Sequence, residues 1–72
     1  MKRRIRKFIL KRFNDISGVS GTGIVAEGVE FSNGKAVISW FTAGGSIGIY
    51  DSIKQVEKIH GHEGRTKVII ED

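Results

Sequence analysis

Three stretches of this 72-residue chain carry residue types that could do chemistry. In Ser17-Gly18-Val19-Ser20-Gly21-Thr22-Gly23, three glycines and three hydroxyls fall within seven residues, the composition of a loop that cradles an anion with its backbone amides. A phosphate loop of the nucleotide-hydrolase kind also needs a Lys-Ser/Thr pair and a following helix, because the lysine and the helix N-terminus hold the phosphate charge. Neither follows. Ile24 to Phe31 is rich in β-branched residues, has a glycine in mid-run and reads as a strand. The segment is then a compact loop whose hydroxyls satisfy its own backbone.

The second stretch, His60-Gly61-His62-Glu63-Gly64, holds the ligand-type side chains. Two histidines two apart reach one metal only from an extended backbone, and a structural zinc needs four ligands. With no cysteine in the chain, Glu63 and Asp51 are the only helpers at hand, so neither a metal nor a cofactor is expected. His60 instead packs at the end of a helix, where the dipole favours a cation, and His62 orders the loop. No spacing brings Ser17, Ser20 or Ser52 to these histidines as a nucleophile, and the chain reads as a non-enzyme.

The third stretch is the strongest signal. Lys2, Arg3, Arg4, Arg6, Lys7, Lys11 and Arg12 place seven cations before Phe13 with no acid among them, while the remainder has five basic and eight acidic residues. The net charge of +4 is therefore a property of one segment. Cations interleaved with Ile5, Phe8 and Leu10 can track a polyanion, and each phosphate contact releases condensed counterions. Arg3, Arg4, Arg6, Lys7, Lys11 and Arg12 are the candidate nucleic-acid contacts, with Phe41 and Tyr50 as candidate aromatic contacts that stack a base or anchor a peptide. The competing reading is an edge strand whose charges discourage aggregation and raise solubility.

The elements that must position these residues fit one small domain, 1–72, with a basic N-terminal segment over about residues 1–7. There is no proline, internal repeat or linker, and no apolar run, Phe8-Ile9-Leu10 included, exceeds three residues, far short of a membrane span. A hydrophobic content of 39% indicates a globular chain, expected to be cytoplasmic. A first strand is predicted from about Arg6, with Arg6, Phe8, Leu10 and Arg12 on one face and Lys7, Ile9 and Lys11 on the other. A second strand runs from about Gly23 to Phe31, and Gly28 reads as a bulge or bend in it. Asn33-Gly34 reads as a two-residue hairpin turn that pairs Phe31 with Ala36 and Val29 with Ile38. A third strand carries Trp40, Ser46 to Tyr50 is a fourth, and Thr66 to Ile70 a fifth. Between the last two, Ser52 and Gln55 stand at capping-box spacing and open a short helix with Ile53, Val56, Ile59 and His60 on one stripe, which Gly61 ends in a left-handed conformation. The expected core is Trp40, Ile38, Val29, Phe31, Ile49, Ile53, Val56, Val68 and Ile70. The order predicts a mainly β fold, a small five-stranded SH3-like barrel with one short helix before the last strand, ahead of an OB-fold.

The segment SGVSGTGIVAEGVEF, the third-strand Trp40 and the segment IHGHEGRTKV together resemble a group of short uncharacterised proteins of phage, prophage and archaeal-virus type. The resemblance spans roughly Phe8 to the end, and the basic start departs from it. It implies a viral or mobile-element origin and supplies no activity. Two functions follow: a small barrel that binds nucleic acid electrostatically, or a viral accessory module that docks on a host or virion protein. Homo-oligomers fit either, and no membrane partner is expected.

Overall fold

The computed structural model describes residues 4–13, 23–41, 43–61 and 64–71. Five antiparallel strands, β1 (Arg6–Arg12), β2 (Gly23–Glu30), β3 (Ala36–Trp40), β4 (Ile47–Tyr50) and β5 (Thr66–Ile70), form one sheet in the order β4-β3-β2-β1-β5. A 3₁₀ turn, Ala43–Gly45, joins β3 to β4, and the helix α1 (Ile53–His60) precedes β5. The element order is the expected one, but the sheet is open. Among the described residues β4 and β5 do not pair, and α1 packs against both of them, so the helix rather than a hydrogen-bonded ladder spans the gap.

Alternation along β1 decides which face is the core. Phe8 and Leu10 point inward, each 1% exposed, and join Val25, Ala26, Ala36, Ile38 and Val56, with Trp40, Tyr50, Ile53 and Val68 packed against them. One cross-strand row runs through all five strands: Ile70, Phe8, Gly28, Ile38 and Gly48 are successive partners. Its two glycines are required by close approach. A Cβ on Gly28 would lie 2.5 Å from Cζ of Phe8 and 2.7 Å from the Val37 carbonyl, and one on Gly48 would lie 2.8 Å from the Tyr50 ring. Each aromatic thus lies where a side chain would otherwise stand, and Ile38 is enclosed between them. Gly28 is therefore no bulge. The irregularity falls further along β2, where Leu10 pairs with Ala26 and Lys11 with Ile24, so Val25 is the extra residue and both Val25 and Ala26 are buried.

The β2–β3 connection differs from the two-residue turn expected of Asn33-Gly34. Glu30 pairs with Ala36, Val29 with Val37 and Gly28 with Ile38, one residue off the anticipated register. The Gly34 amide donates to the Phe31 carbonyl, Gly34 takes φ +90°, and the Phe31 amide donates to the Lys35 carbonyl. This is a three-residue loop, a tight turn followed by a glycine in the left-handed region, and Asn33 Oδ1 supports it by accepting from the Lys35 amide. Because side chains alternate, the shift by one in β2 turns Phe31 and Val29 away from the core, whereas Ala36, Ile38 and Trp40 of β3 keep their side. Phe31 is 42% exposed, and Ile49 at 77% and Ile70 at 36% also leave the expected core.

At α1 the Ser52 hydroxyl accepts from the Gln55 amide, and Gln55 Oε1 accepts from the amide of Asp51, one residue before the cap. Val56 is fully buried, Ile53 and His60 partly, and Ile59 is exposed despite its place on the anticipated stripe. Gly61 ends the helix in right-handed geometry, where a Cβ would strike the Glu57 carbonyl, and the left-handed position falls instead on Gly64 at φ +89°.

The row makes a specific expectation. Gly28→Ala should destabilise the fold by about 1–3 kcal/mol through overpacking, measured by urea unfolding. In a Phe8→Leu background the same change should cost less, because one of its two clashes is gone. At the turn, Gly34→Val should lower the melting temperature by placing a β-branched residue at positive φ, and an unchanged melt would refute the loop geometry.

Candidate nucleic-acid interface

β1 lies inside the sheet, between β2 and β5, and is not the edge strand that the charge pattern suggested. Burial of Phe8 and Leu10 sorts its cations by parity. Arg6 and Arg12 fall on the core side at the two ends of the strand, and Lys7 and Lys11 fall on the open outer face. On the core side Arg6 Nε donates to Glu30 Oε1 at 2.6 Å across the β1–β2 ladder, and Arg12 Nε donates to Thr66 Oγ1 at 3.3 Å across β1–β5. Arg4 is exposed, and its backbone amide donates to Ser32 Oγ. Arg3 lies outside the described residues. The six sequence candidates therefore do not form one stripe.

On the outer face the structure adds residues that the segment by itself did not indicate. Lys11 pairs directly with Lys67 of β5, two like charges side by side. The ladder continues one step, with the Phe13 amide donating to the Arg65 carbonyl at 2.7 Å. The Phe13 ring, 53% exposed, then receives both ammonium groups, Lys11 Nζ at 5.5 Å and Lys67 Nζ at 5.9 Å from its centroid. Among the described residues no carboxylate pairs with Lys11 or Lys67. Like charges directly opposite destabilise a sheet, and a phenyl face offsets only part of that repulsion. An anion placed between the two would remove it.

Lys7, at the other end of the same face, has different company. With Glu27, Val29, Val37, Ser39 and Glu71 it lines a groove of about 300 Å³. The two carboxylates there oppose a polyanion, so the cationic character of the face is concentrated at Lys11 and Lys67.

The aromatic candidates separate as well. Phe41 is 54% exposed beyond the end of β3, its amide bonded to the Val25 carbonyl. Tyr50 lies on the core side over Gly48, and its hydroxyl is 2.8 Å from Nε2 of His60. His60 also meets Trp40 edge-on, with ring centroids 4.8 Å apart. His62, Glu63 and residues 17–22 of the glycine-rich loop lie outside the described residues; Gly23, which opens β2, has φ +91°. Among the described residues no three His, Cys, Asp or Glu side chains converge as a metal site requires, and no helix is long and apolar enough to cross a membrane.

Lys67 and Phe13 were not among the site residues expected from the sequence, because Lys67 belongs to the net acidic remainder of the chain. The signal that could have found it is the strand order itself: if the last strand pairs with the first, antiparallel register sets Lys67 beside Lys11.

Among the described residues the fold is mainly β, one open five-stranded sheet with a helix packed against β4 and β5. The family model described as Acb5 phage protein matches residues 5–72, and the chain belongs to that family. The matched region includes all of β1, so Arg6, Lys7, Lys11 and Arg12 lie within it. No curated protein and no solved structure matches the chain.

If Lys11 and Lys67 repel, Lys67→Glu should raise stability by about 0.2–1 kcal/mol through an opposite-charge pair. The gain should shrink between low and high salt in parallel unfolding curves, and a loss of stability would show that the two charges do not interact.

Proposed function

We propose that this phage protein is a small non-enzymatic module that binds nucleic acid electrostatically in the host cytoplasm, on an open sheet of SH3-like strand order. The observation that carries the reading is the Lys11–Lys67 pair, two cations held opposite one another against Phe13 with no carboxylate partner among the described residues. Phosphate oxygens relieve the repulsion, and the contact carries no base information, so binding is largely independent of sequence. Arg3 and Arg4 extend the positive field from the start of the chain, and Lys7 adds to it only in part, offset by Glu27 and Glu71. Arg12, whose partner Thr66 is neutral, adds long-range attraction, whereas the Glu30 carboxylate largely cancels the charge of Arg6. Phe41 is an outward aromatic available to an unstacked base.

A second reading, docking on a host or virion protein, is favoured by the exposed side chains of Phe41, Ile47 and Ile49 at the β3–β4 end of the sheet, far from the β5 edge that carries Lys67. The two readings separate on ionic strength, since phosphate binding weakens steeply with salt and apolar docking does not.

Fluorescence anisotropy on a labelled duplex at several salt concentrations tests the first. Lys11→Gln/Lys67→Gln should reduce the magnitude of the slope of log K against log salt by about 1.8, at about 0.9 per phosphate contact, and weaken all sequences alike. Lys54→Gln/Lys58→Gln on α1 removes the same charge and should leave the slope nearly unchanged. Equal effects of the two pairs, or no binding at low salt, would overturn the reading.

A further inference from the structure

The two edges of the sheet are not alike. β5 carries Lys67 and is followed by Glu71, which is how soluble sheets discourage a second chain from pairing. β4, Ile47-Gly48-Ile49-Tyr50, has no charge, no proline and no bulge against β3. Its outer-face side chains, Ile47 and Ile49, are 62% and 77% exposed. Among the described residues no second strand pairs with this edge, and α1 meets β4 from the core side, where His60 reaches Tyr50.

We propose that β4 pairs with β4 of a second copy about a two-fold axis, joining two sheets into one continuous antiparallel sheet. Backbone parity points to this occupant. The Trp40 amide donates to the Ser46 carbonyl at 3.0 Å, so Ser46 faces β3. Hydrogen-bonded and non-bonded pairs alternate along an antiparallel ladder. Gly48 and Tyr50 therefore also direct their amides and carbonyls to β3, and those of Ile47 and Ile49 point to the free edge. In the symmetric register that sets Gly48 opposite Gly48 of the second copy, Ile47 of each chain faces Ile49 of the other. The free groups then satisfy one another in four hydrogen bonds. The same register gathers four exposed isoleucines on the outer face, since paired residues share a side.

The axis falls at a non-bonded pair, where strands approach most closely, and the residue there is a glycine. A register shifted by one residue would set outward isoleucines against inward side chains, and one shifted by two would leave an isoleucine of each chain without a partner. The strand is thus complementary to itself, the requirement for a closed two-fold interface. The two Lys11–Phe13–Lys67 clusters would lie on the same face of the joined sheet, toward its opposite ends. The pairing itself does not depend on nucleic acid.

Sedimentation equilibrium on the full chain without nucleic acid, up to about 1 mM, where even a contact worth about 4 kcal/mol is populated, should show a mass rising from 7.9 kDa toward twice that value. Ile47→Lys/Ile49→Lys sets like charges opposite one another in both pairs and should hold the mass at one chain. Ile47→Lys/Ile49→Glu sets an ammonium opposite a carboxylate in both pairs and should restore the dimer. Both positions are exposed, so circular dichroism should show all three proteins folded. A wild-type chain that stays monomeric throughout would overturn the proposal and leave the edge to another protein. So would a dimer that persists in the first variant, or equal behaviour of the two.

Discussion

The lack of a side chain at Gly28 is the constraint on which the rest of this structure depends. Phe8 can turn its ring across β2 only because nothing stands there, with the ring within 2.7 Å of where a Cβ would be. Once Phe8 is inward, alternation forces Leu10 inward with it, and the two together make β1 the floor of the core between β2 and β5. Gly48 repeats the arrangement beneath Tyr50 at the other end of the row. A small chain without disulfides has little apolar surface to bury. Laying large rings over glycines fills that limited interior with few side chains.

The same alternation determines what the basic segment can do. With Phe8 and Leu10 inside, Lys7 and Lys11 must face the open side of the sheet, whereas Arg6 and Arg12 lie at the rim of the core with Glu30 and Thr66. Strand pairing then adds Lys67, which no inspection of the first thirteen residues would supply. The charge density that matters is therefore made in part by a residue more than fifty positions away, brought in by an antiparallel partner. Phe13 completes the arrangement by receiving both ammonium groups at the end of the ladder. Membership of the Acb5 phage protein family, matched from residue 5, brings β1 and its charges within the shared region.

Much of the architecture was legible in the sequence because it is written locally. The β-branched runs, the Asn-Gly pair, the Ser52–Gln55 cap and the alternation of Phe8 and Leu10 are near-neighbour signals, and they locate five strands and one helix in the observed order. The alternation of β1 likewise assigned its cations to two faces. What local patterns left undetermined was which face of each later strand meets the core. Asn33-Gly34 suits both a two-residue and a three-residue loop, and the choice between them moves β2 by one position, enough to expose Phe31. In β4, Ile47 and Ile49 look more apolar than Gly48 and Tyr50, yet the tertiary fold turns the isoleucines out, because Tyr50 covers Gly48 and reaches His60. The sequence by itself determined where charge is concentrated and where strands begin and end, since both are properties of consecutive residues. Only the tertiary structure decided that β1 is central, that Lys67 stands beside Lys11, and that the uncharged strand is an edge, because strand neighbours are chosen by long-range packing around one buried row.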